Sequence, residues 1–174
     1  MPRNRGFSLI ELLIVVAIIL IIAAIAIPNM LRARMAANES SAVNSIRQIK
    51  TAEVAYFNSY PTVGYAPALP NLGCGGVCPV PPTSTQAGLI DDALTTAGVG
   101  TAGKSGYVFA AVGIAPAGTL HSEFVAGGTP LASGKTGTRD FCATADGALR
   151  YQPATGAVPQ ATVAGCEAFP SVVQ

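Results

Sequence analysis

Hydrophobic residues are concentrated at the N-terminal end of the chain, in a run without polar interruption. Residues 12–27 are all apolar, and no charged residue lies between Glu11 and Arg32. A helix of about 20 residues is roughly 30 Å long, which matches the hydrocarbon core of a bilayer. The pattern therefore predicts a membrane-spanning helix.

After this run the pattern becomes amphipathic. Only one glycine and two prolines precede residue 61, and both residue types are poorly tolerated inside helices. Residues 7–60 are therefore predicted to form one helix, whose second half, 32–60, packs on a globular domain. The apolar residues at helical spacing in this half are Met35, Ala42, Ile46, Ile49, Tyr56 and Tyr60.

The remainder, residues 61–174, is rich in glycine and proline and cannot continue the helix. A short helix is predicted at 86–97, and the stretch 127–138 is predicted to be a solvated loop. Asp146-Gly147 is a strong hairpin signal between the last two strands. The predicted fold class is α+β, with the long helix packed on a small antiparallel sheet of about four strands. The strand-like segments are 105–113, 120–126, 139–145 and 148–152.

Composition excludes two classes of protein. Half of the 174 residues are hydrophobic and only 11% are charged, which excludes a disordered polyelectrolyte. A formal net charge of +1 excludes an electrostatic nucleic-acid binder. The four cysteines favour an oxidising compartment, and thus a C-terminal part outside the cytoplasm. No residue pattern indicates a cofactor, a resident metal ion or a catalytic constellation.

Two interpretations of the N-terminus leave Glu11 unexplained. Arg3, Arg5 and an Ala24-Ile25-Ala26 cleavage site are typical of a secretory signal peptide, which would release a soluble exported binding protein after Ala26. The apolar run is long for such a peptide. A plain membrane anchor is the second interpretation, but a carboxylate flush with a membrane helix is costly and usually has a partner.

Cleavage between Gly6 and Phe7 gives Glu11 that partner. Phe7 then carries a cationic α-amine, because the ordinary pKa of such an amine is near 8. Glu11 lies four residues along the same helix, where a carboxylate also suits the helix dipole. A stronger pairing joins Glu11 to the Phe7 amine of an adjacent copy. Because loss of one partner leaves a bare charge in hydrocarbon, this pairing would fix the register of assembly.

The sequence Arg5-Gly6-Phe7-Ser8-Leu9-Ile10-Glu11-Leu12-Leu13 resembles the prepilin processing motif of type IV pilins and type II secretion pseudopilins. The resemblance implies that prepilin peptidase cuts between Gly6 and Phe7 and methylates the Phe7 amine. It also implies that the helix is retained as membrane anchor and then as filament core. Pro28 matches the position at which pilins can lose helical structure in filaments.

The implied function is a non-enzymatic structural subunit of a type IV pilus. Its expected partners are copies of itself in a helical filament, prepilin peptidase, the assembly machinery of the inner membrane, and the membrane. It would span the inner membrane once before assembly and lie in a surface pilus afterwards. A type II secretion pseudopilin is the alternative within the family. The expected segments are a leader (1–6), a membrane and assembly helix (7–31), its amphipathic half (32–60) and a globular domain (61–174).

The cysteines allow three disulfide pairings, and a four-thiolate zinc site is the less favoured alternative. The pairing closest in sequence is Cys74–Cys78 with Cys142–Cys166. Cys142–Cys166 resembles the disulfide-bounded C-terminal region of many pilins, whereas Cys74–Cys78 has no evident counterpart in the family.

Overall fold

The computed structural model describes residues 7–98, 100–116, 118–156 and 158–173. The chain divides into two compact units, an N-terminal unit ending at Arg34 and a C-terminal unit beginning at Met35. The helices are α1 (Leu9–Ser59), α2 (Leu69–Leu72), α3 (Asp92–Thr95) and α4 (Val163–Glu167). The strands are β1 (Tyr107–Ile114), β2 (Glu123–Pro130), β3 (Arg139–Thr144), β4 (Leu149–Pro153) and β5 (Ser171–Val172).

The N-terminal unit is the first part of α1, and Pro28 lies inside this helix. α1 is continuous through Pro28 in the single chain, whereas the expected loss of helix at this residue concerns the filament. Proline removes one backbone hydrogen bond, but the remaining bonds of the ladder hold the helical path, as in many membrane helices that tolerate proline. A break at Pro28 therefore stays a proposal for the assembled state.

The C-terminal unit contains the amphipathic part of α1, and the predicted apolar stripe is confirmed. Ile46, Ile49 and Tyr56 are completely buried, whereas Met35 and Tyr60 at the two ends are half-buried. The stripe joins aromatic residues of the strands in one hydrophobic cluster, because its residues recur every three or four positions and so share one face. The strand residues in that cluster are Tyr107, Phe109, Phe124, Phe141 and, at its edge, Tyr151.

The sheet is an antiparallel meander in the order β1-β2-β3-β4-β5, so the α+β fold with an antiparallel sheet is confirmed. The hairpin between β3 and β4 turns at Asp146-Gly147, as expected. Gly147 has a φ of +84°, a conformation that glycine adopts without strain. The Asp146 carboxylate accepts hydrogen bonds from the Thr144 hydroxyl and the Ala148 N–H, at 2.7 and 3.0 Å. This turn fixes the register of the two strands.

The prediction of a solvated loop at 127–138 is wrong at its beginning. Gly127 and Gly128 are buried within β2, where they pair with β1 on one side and with β3 on the other. A Cβ at Gly127 would collide with the backbone of Gln160, so the missing side chain lets that segment cross the strand closely. The fifth strand, β5, pairs with β4 through only two residues and was not predicted.

The helix predicted at 86–97 is also wrong in extent, since only Asp92–Thr95 is helical. The backbone before it hydrogen-bonds to α2: the Ala87 N–H to the Asn71 carbonyl, at 3.0 Å, and the Leu89 N–H to the Leu72 carbonyl, at 2.7 Å. These bonds draw residues 87–89 out of helical geometry. Asp91 then caps α3, accepting the Leu94 N–H at 2.6 Å.

Candidate processing and assembly site

The residues predicted for processing and assembly meet at the amino end of α1. Gly6 lies outside the described residues, and the structure begins at Phe7, whose side chain is exposed. The first helical hydrogen bond runs from the Leu12 N–H to the Ser8 carbonyl, at 3.2 Å, so Ser8 stands at the N-cap position. The site therefore consists of an exposed Phe7 followed by the opening turn of a helix.

The Glu11 carboxylate reaches back toward this end. Its Oε2 accepts a long hydrogen bond from the Ser8 N–H, at 3.4 Å. This bond is the glutamate half of a capping box, in which a serine at the N-cap is followed three residues later by glutamate. The pattern Ser8-x-x-Glu11 is the signal in the sequence that indicates this capping box. The bond turns the negative charge toward Phe7.

Within the described part of the N-terminal unit, no cationic side chain precedes Arg32, and Glu11 forms no ion pair. A carboxylate in low-dielectric surroundings needs a counter-charge. The α-amine of a chain that begins at Phe7 is the cation closest in sequence, and the same amine on a second copy is the other candidate. The geometry of the first turn leaves the carboxylate available to either amine.

The surface that follows Glu11 is continuously apolar. Every large hydrophobic side chain from Leu9 to Leu31 is at least 46% exposed. The helix is long and apolar enough to cross a membrane, with a mean hydropathy of 3.3 in its most apolar window. Exposed apolar surface of this extent needs lipid or other apolar helices to cover it.

Comparison with known proteins finds similarity in the same part of the chain, its N-terminal helix. Residues 1–27 match the family model described as the prokaryotic N-terminal methylation motif. The type IV major pilin protein PilA of Myxococcus xanthus is 51% identical over 57 residues, which are 33% of this chain and 26% of that protein. The type IV wide pilus major component PilA4 of Thermus thermophilus is 60% identical over 40 residues, which are 23% of this chain and 30% of that protein. The N-terminal part of this chain is similar to that of type IV pilins.

The aligned segments span less than a third of either relative, and no solved structure matches the chain. The pilin-type N-terminus and its apolar helix fit anchoring in the inner membrane before assembly and a place in a surface pilus afterwards.

The other candidate residues, the four cysteines, belong to the C-terminal unit. Cys74 is bonded to Cys78, and Cys142 to Cys166. All four sulfurs are thus paired, which removes the zinc alternative; the described residues also hold no group of three or more metal-ligating side chains. Cys142–Cys166 is completely buried and ties β3 to α4. This disulfide therefore links the sheet to the C-terminal helix in the buried part of the C-terminal unit.

Two buried carboxylates of α1 were missed by the sequence analysis. Glu39 and Glu53 fall on the same face as the apolar stripe, three residues before Ala42 and Tyr56 respectively, and this spacing was the available signal. Burial raises the pKa of Glu39, but hydrogen bonds from Thr138 and the pairing with Arg139 outweigh it and hold the pKa below its ordinary value. Both carboxylates belong to the C-terminal unit, and the ion pair of Glu39 with Arg139 stabilises that unit.

Glu53 lies in a different environment. It is completely buried, and its Oε2 accepts the Ala66 N–H at 2.8 Å, while Oε1 has no hydrogen-bond partner among the described residues. Burial raises the pKa of Glu53 to about 7, although the Ala66 hydrogen bond acts in the opposite direction. The carboxyl group therefore joins the end of α1 to the loop that follows it.

Proposed function

We propose that this chain is the structural subunit of a type IV pilus and has no catalytic activity of its own. The observation that carries the proposal is the arrangement at the start of α1, where Glu11 is turned toward Phe7 ahead of a long exposed apolar surface. The match to the N-terminal methylation motif and the pilin relatives support it.

In the proposed pathway, prepilin peptidase removes residues 1–6 by cutting after Gly6 and then methylates the Phe7 amine. The cut precedes the apolar run, so the membrane span stays in the mature chain. Removal of the leader also creates the cation that Glu11 needs. Processing thereby prepares the assembly contact and does not release the protein from the membrane.

In the proposed filament, the apolar surface of α1 packs on the same surface of other copies. The Phe7 amine of an incoming subunit pairs with the Glu11 carboxylate of a neighbour, because a bare charge within the apolar core is strongly unfavourable. This pairing sets the register between subunits. A helix break at Pro28 would occur at this stage, where neighbouring copies replace the lost hydrogen bonding.

Substitution of Glu11 tests the assembly role. Glu11→Ala removes the counter-charge, a loss of about 3 kcal/mol per subunit contact, so sheared-filament preparations should be empty while cleaved monomer accumulates in the membrane. Glu11→Gln should be nearly as severe, since it keeps the shape but not the charge. Glu167→Gln, an exposed carboxylate of the C-terminal unit, is the matched control and should assemble normally. Normal filament yield from Glu11→Ala would refute the assembly role.

The processing step has its own test in the intact mass of the mature protein. The expected species begins with N-methylated Phe7, and Gly6→Leu should leave the precursor uncleaved because a bulky residue does not fit where glycine does. A species that begins at Ile27 would instead identify a secretory signal peptide. That result would replace the pilin proposal with a soluble exported protein.

A type II secretion pseudopilin is the second candidate, because the same N-terminal motif serves both systems. Both relatives are major pilus components, which favours a pilus. The Cys142–Cys166 bond, which resembles the disulfide-bounded region of many pilins, favours it as well. Surface filaments that disappear in a deletion strain and contain this chain by mass spectrometry would decide for the pilus.

A further inference from the structure

We propose that Arg32 and Arg34 bind the phosphate groups of anionic phospholipids at the outer surface of the membrane, and so set the depth of the subunit. This inference rests on the membrane location of α1 and on the proposed removal of the leader, and it does not require a filament. It concerns the two cations that end the uncharged run, which the assembly contact at Glu11 leaves unused.

The first support is position. Twenty uncharged residues separate Glu11 from Arg32, and this length of helix is about 30 Å. When the apolar run fills the hydrocarbon, both arginines lie where the hydrocarbon ends and the headgroups begin. The long arginine side chain can keep its charged end in that headgroup layer.

The second support is that neither guanidinium group has an ion-pair partner among the described residues. Arg32 and Arg34 are exposed, and neither belongs to any of the ion pairs formed by the described residues. The next acidic residue along the chain is Glu39, and Arg139 already occupies it. A cation with no protein partner, placed at the headgroup layer, has lipid phosphate as its natural ligand, and guanidinium binds phosphate through two parallel hydrogen bonds.

The third support is the direction in which the two side chains leave the helix. Residues two apart on a helix with 3.6 residues per turn are separated by about 200° around its axis. Arg32 and Arg34 therefore leave on opposite sides and engage two different lipids. A pair of contacts on opposite sides holds the helix at a fixed depth without favouring one direction of tilt.

The fourth support is the balance of charge at the two ends of the span. Positive residues normally accumulate on the cytoplasmic side, so two arginines on the outer side need another reason to be there. Loss of the leader removes Arg3 and Arg5, and the remaining cytoplasmic end has one amine opposite one carboxylate. The outer end of the span then carries the excess of positive charge. Lipid phosphates that bind the two arginines at this end keep Glu11 about 31 Å away along the helix, at the inner boundary of the hydrocarbon.

The test measures the lipid selectivity of the processed chain, residues 7–174, reconstituted in phosphatidylcholine vesicles. Trace spin-labelled phosphatidylglycerol or phosphatidylcholine with identical chains gives the relative association constant at the protein surface from the motionally restricted signal. The wild-type chain should prefer phosphatidylglycerol, and each of Arg32→Gln and Arg34→Gln should lower the preference about fivefold at low salt. The double variant should show none, and 0.5 M salt should abolish the preference of the wild type.

Arg47→Gln is the matched control, because Arg47 is an exposed arginine of the same helix well beyond the apolar run. It should retain the full preference. Equal association of both lipids with the wild-type chain would overturn the proposal, as would a preference that survives in the double variant or is lost equally in Arg47→Gln. None of these results depends on filament formation, so they are independent of the Glu11 test.

Discussion

Glu39 and Arg139 are one hundred residues apart in the sequence, and they form an ion pair between α1 and β3 in which two guanidinium nitrogens donate to one carboxylate oxygen. The Glu39 Oε2 accepts from the Arg139 Nε at 2.8 Å and from Nη2 at 2.6 Å. Its Oε1 accepts from the Thr138 N–H and hydroxyl, both at 2.7 Å. The guanidinium group also lies over the rings of Phe141 and Tyr151, at 5.5 and 5.1 Å from their centres. One carboxylate thus holds the helix on the sheet.

Glu39→Ala should therefore destabilise the C-terminal unit. The Glu39 side chain is only 7% exposed, and its removal leaves a guanidinium and the Thr138 donors without their acceptor. The expected loss in the free energy of unfolding is about 2 kcal/mol, because the half-exposed Arg139 guanidinium can still bind water. Chemical unfolding of the full chain in detergent measures this loss. Lys104→Gln breaks an exposed pair with Asp91 and should cost less than about 1 kcal/mol. Equal effects of the two changes would contradict the special place of Glu39.

Glu53 should make the stability of the C-terminal unit depend on pH. Its pKa is raised from 4.5 to about 7, so between these values the folded chain holds a proton that the unfolded chain releases. The contribution of Glu53 to the free energy of unfolding should be greatest below pH 4.5. It should fall by about 3 kcal/mol as the pH rises from 4.5 through 7.

Glu53→Gln tests this dependence because it keeps the shape and the acceptor for the Ala66 N–H but cannot ionise. Unfolding curves at pH 5 to 8 should be nearly flat for the variant, and at pH 8 it should be more stable than the wild type. The carboxylates with lowered pKa values, Glu39, Asp91 and Asp146, titrate below this window and should not obscure it. A wild-type slope that persists unchanged in Glu53→Gln would assign the pH dependence to another group.

The two disulfides should differ in their contribution to stability. Cys142–Cys166 closes a sequence separation of 24 residues, and on chain-entropy grounds it stabilises the fold by about 3 kcal/mol. Cys74–Cys78 spans only 4 residues and should contribute less. Paired substitution of each bridge by alanine, followed by thermal unfolding, measures both. A larger loss from removal of Cys74–Cys78 would show that loop closure is not the dominant effect.

Gly127→Ala should be destabilising because the added Cβ would collide with the backbone of Gln160, which crosses β2 at this residue. Overpacking of this kind costs about 1–3 kcal/mol. Gly98→Ala is the matched control, since nothing lies within 4 Å of its added Cβ and its φ is not positive. Comparison of the two unfolding midpoints checks the prediction. A neutral Gly127→Ala would mean that the 160 segment does not cross β2 closely.

The sequence by itself determined the features that depend on neighbouring residues. The uninterrupted apolar run of 12–27 specifies a membrane helix through its length and hydropathy alone. The Asp146-Gly147 turn follows from local backbone preferences. The stripe containing Ile46 and Ile49 follows from the helical repeat, and the same repeat places Glu39 and Glu53 on the buried face.

Only the tertiary structure decided the features that depend on residues far apart in the chain. The glycines at 127 and 128 look like a loop by composition, yet they lie in a central strand because β1 and β3 supply hydrogen bonds on both sides. Residues 87–89 leave helical geometry because α2 offers them carbonyl acceptors. Arg139 becomes the partner of Glu39 because strand pairing brings it there. Hydrogen bonds and ion pairs of this kind depend on which distant residues lie close together in space. The periodicity of a single segment of sequence contains no information about that proximity.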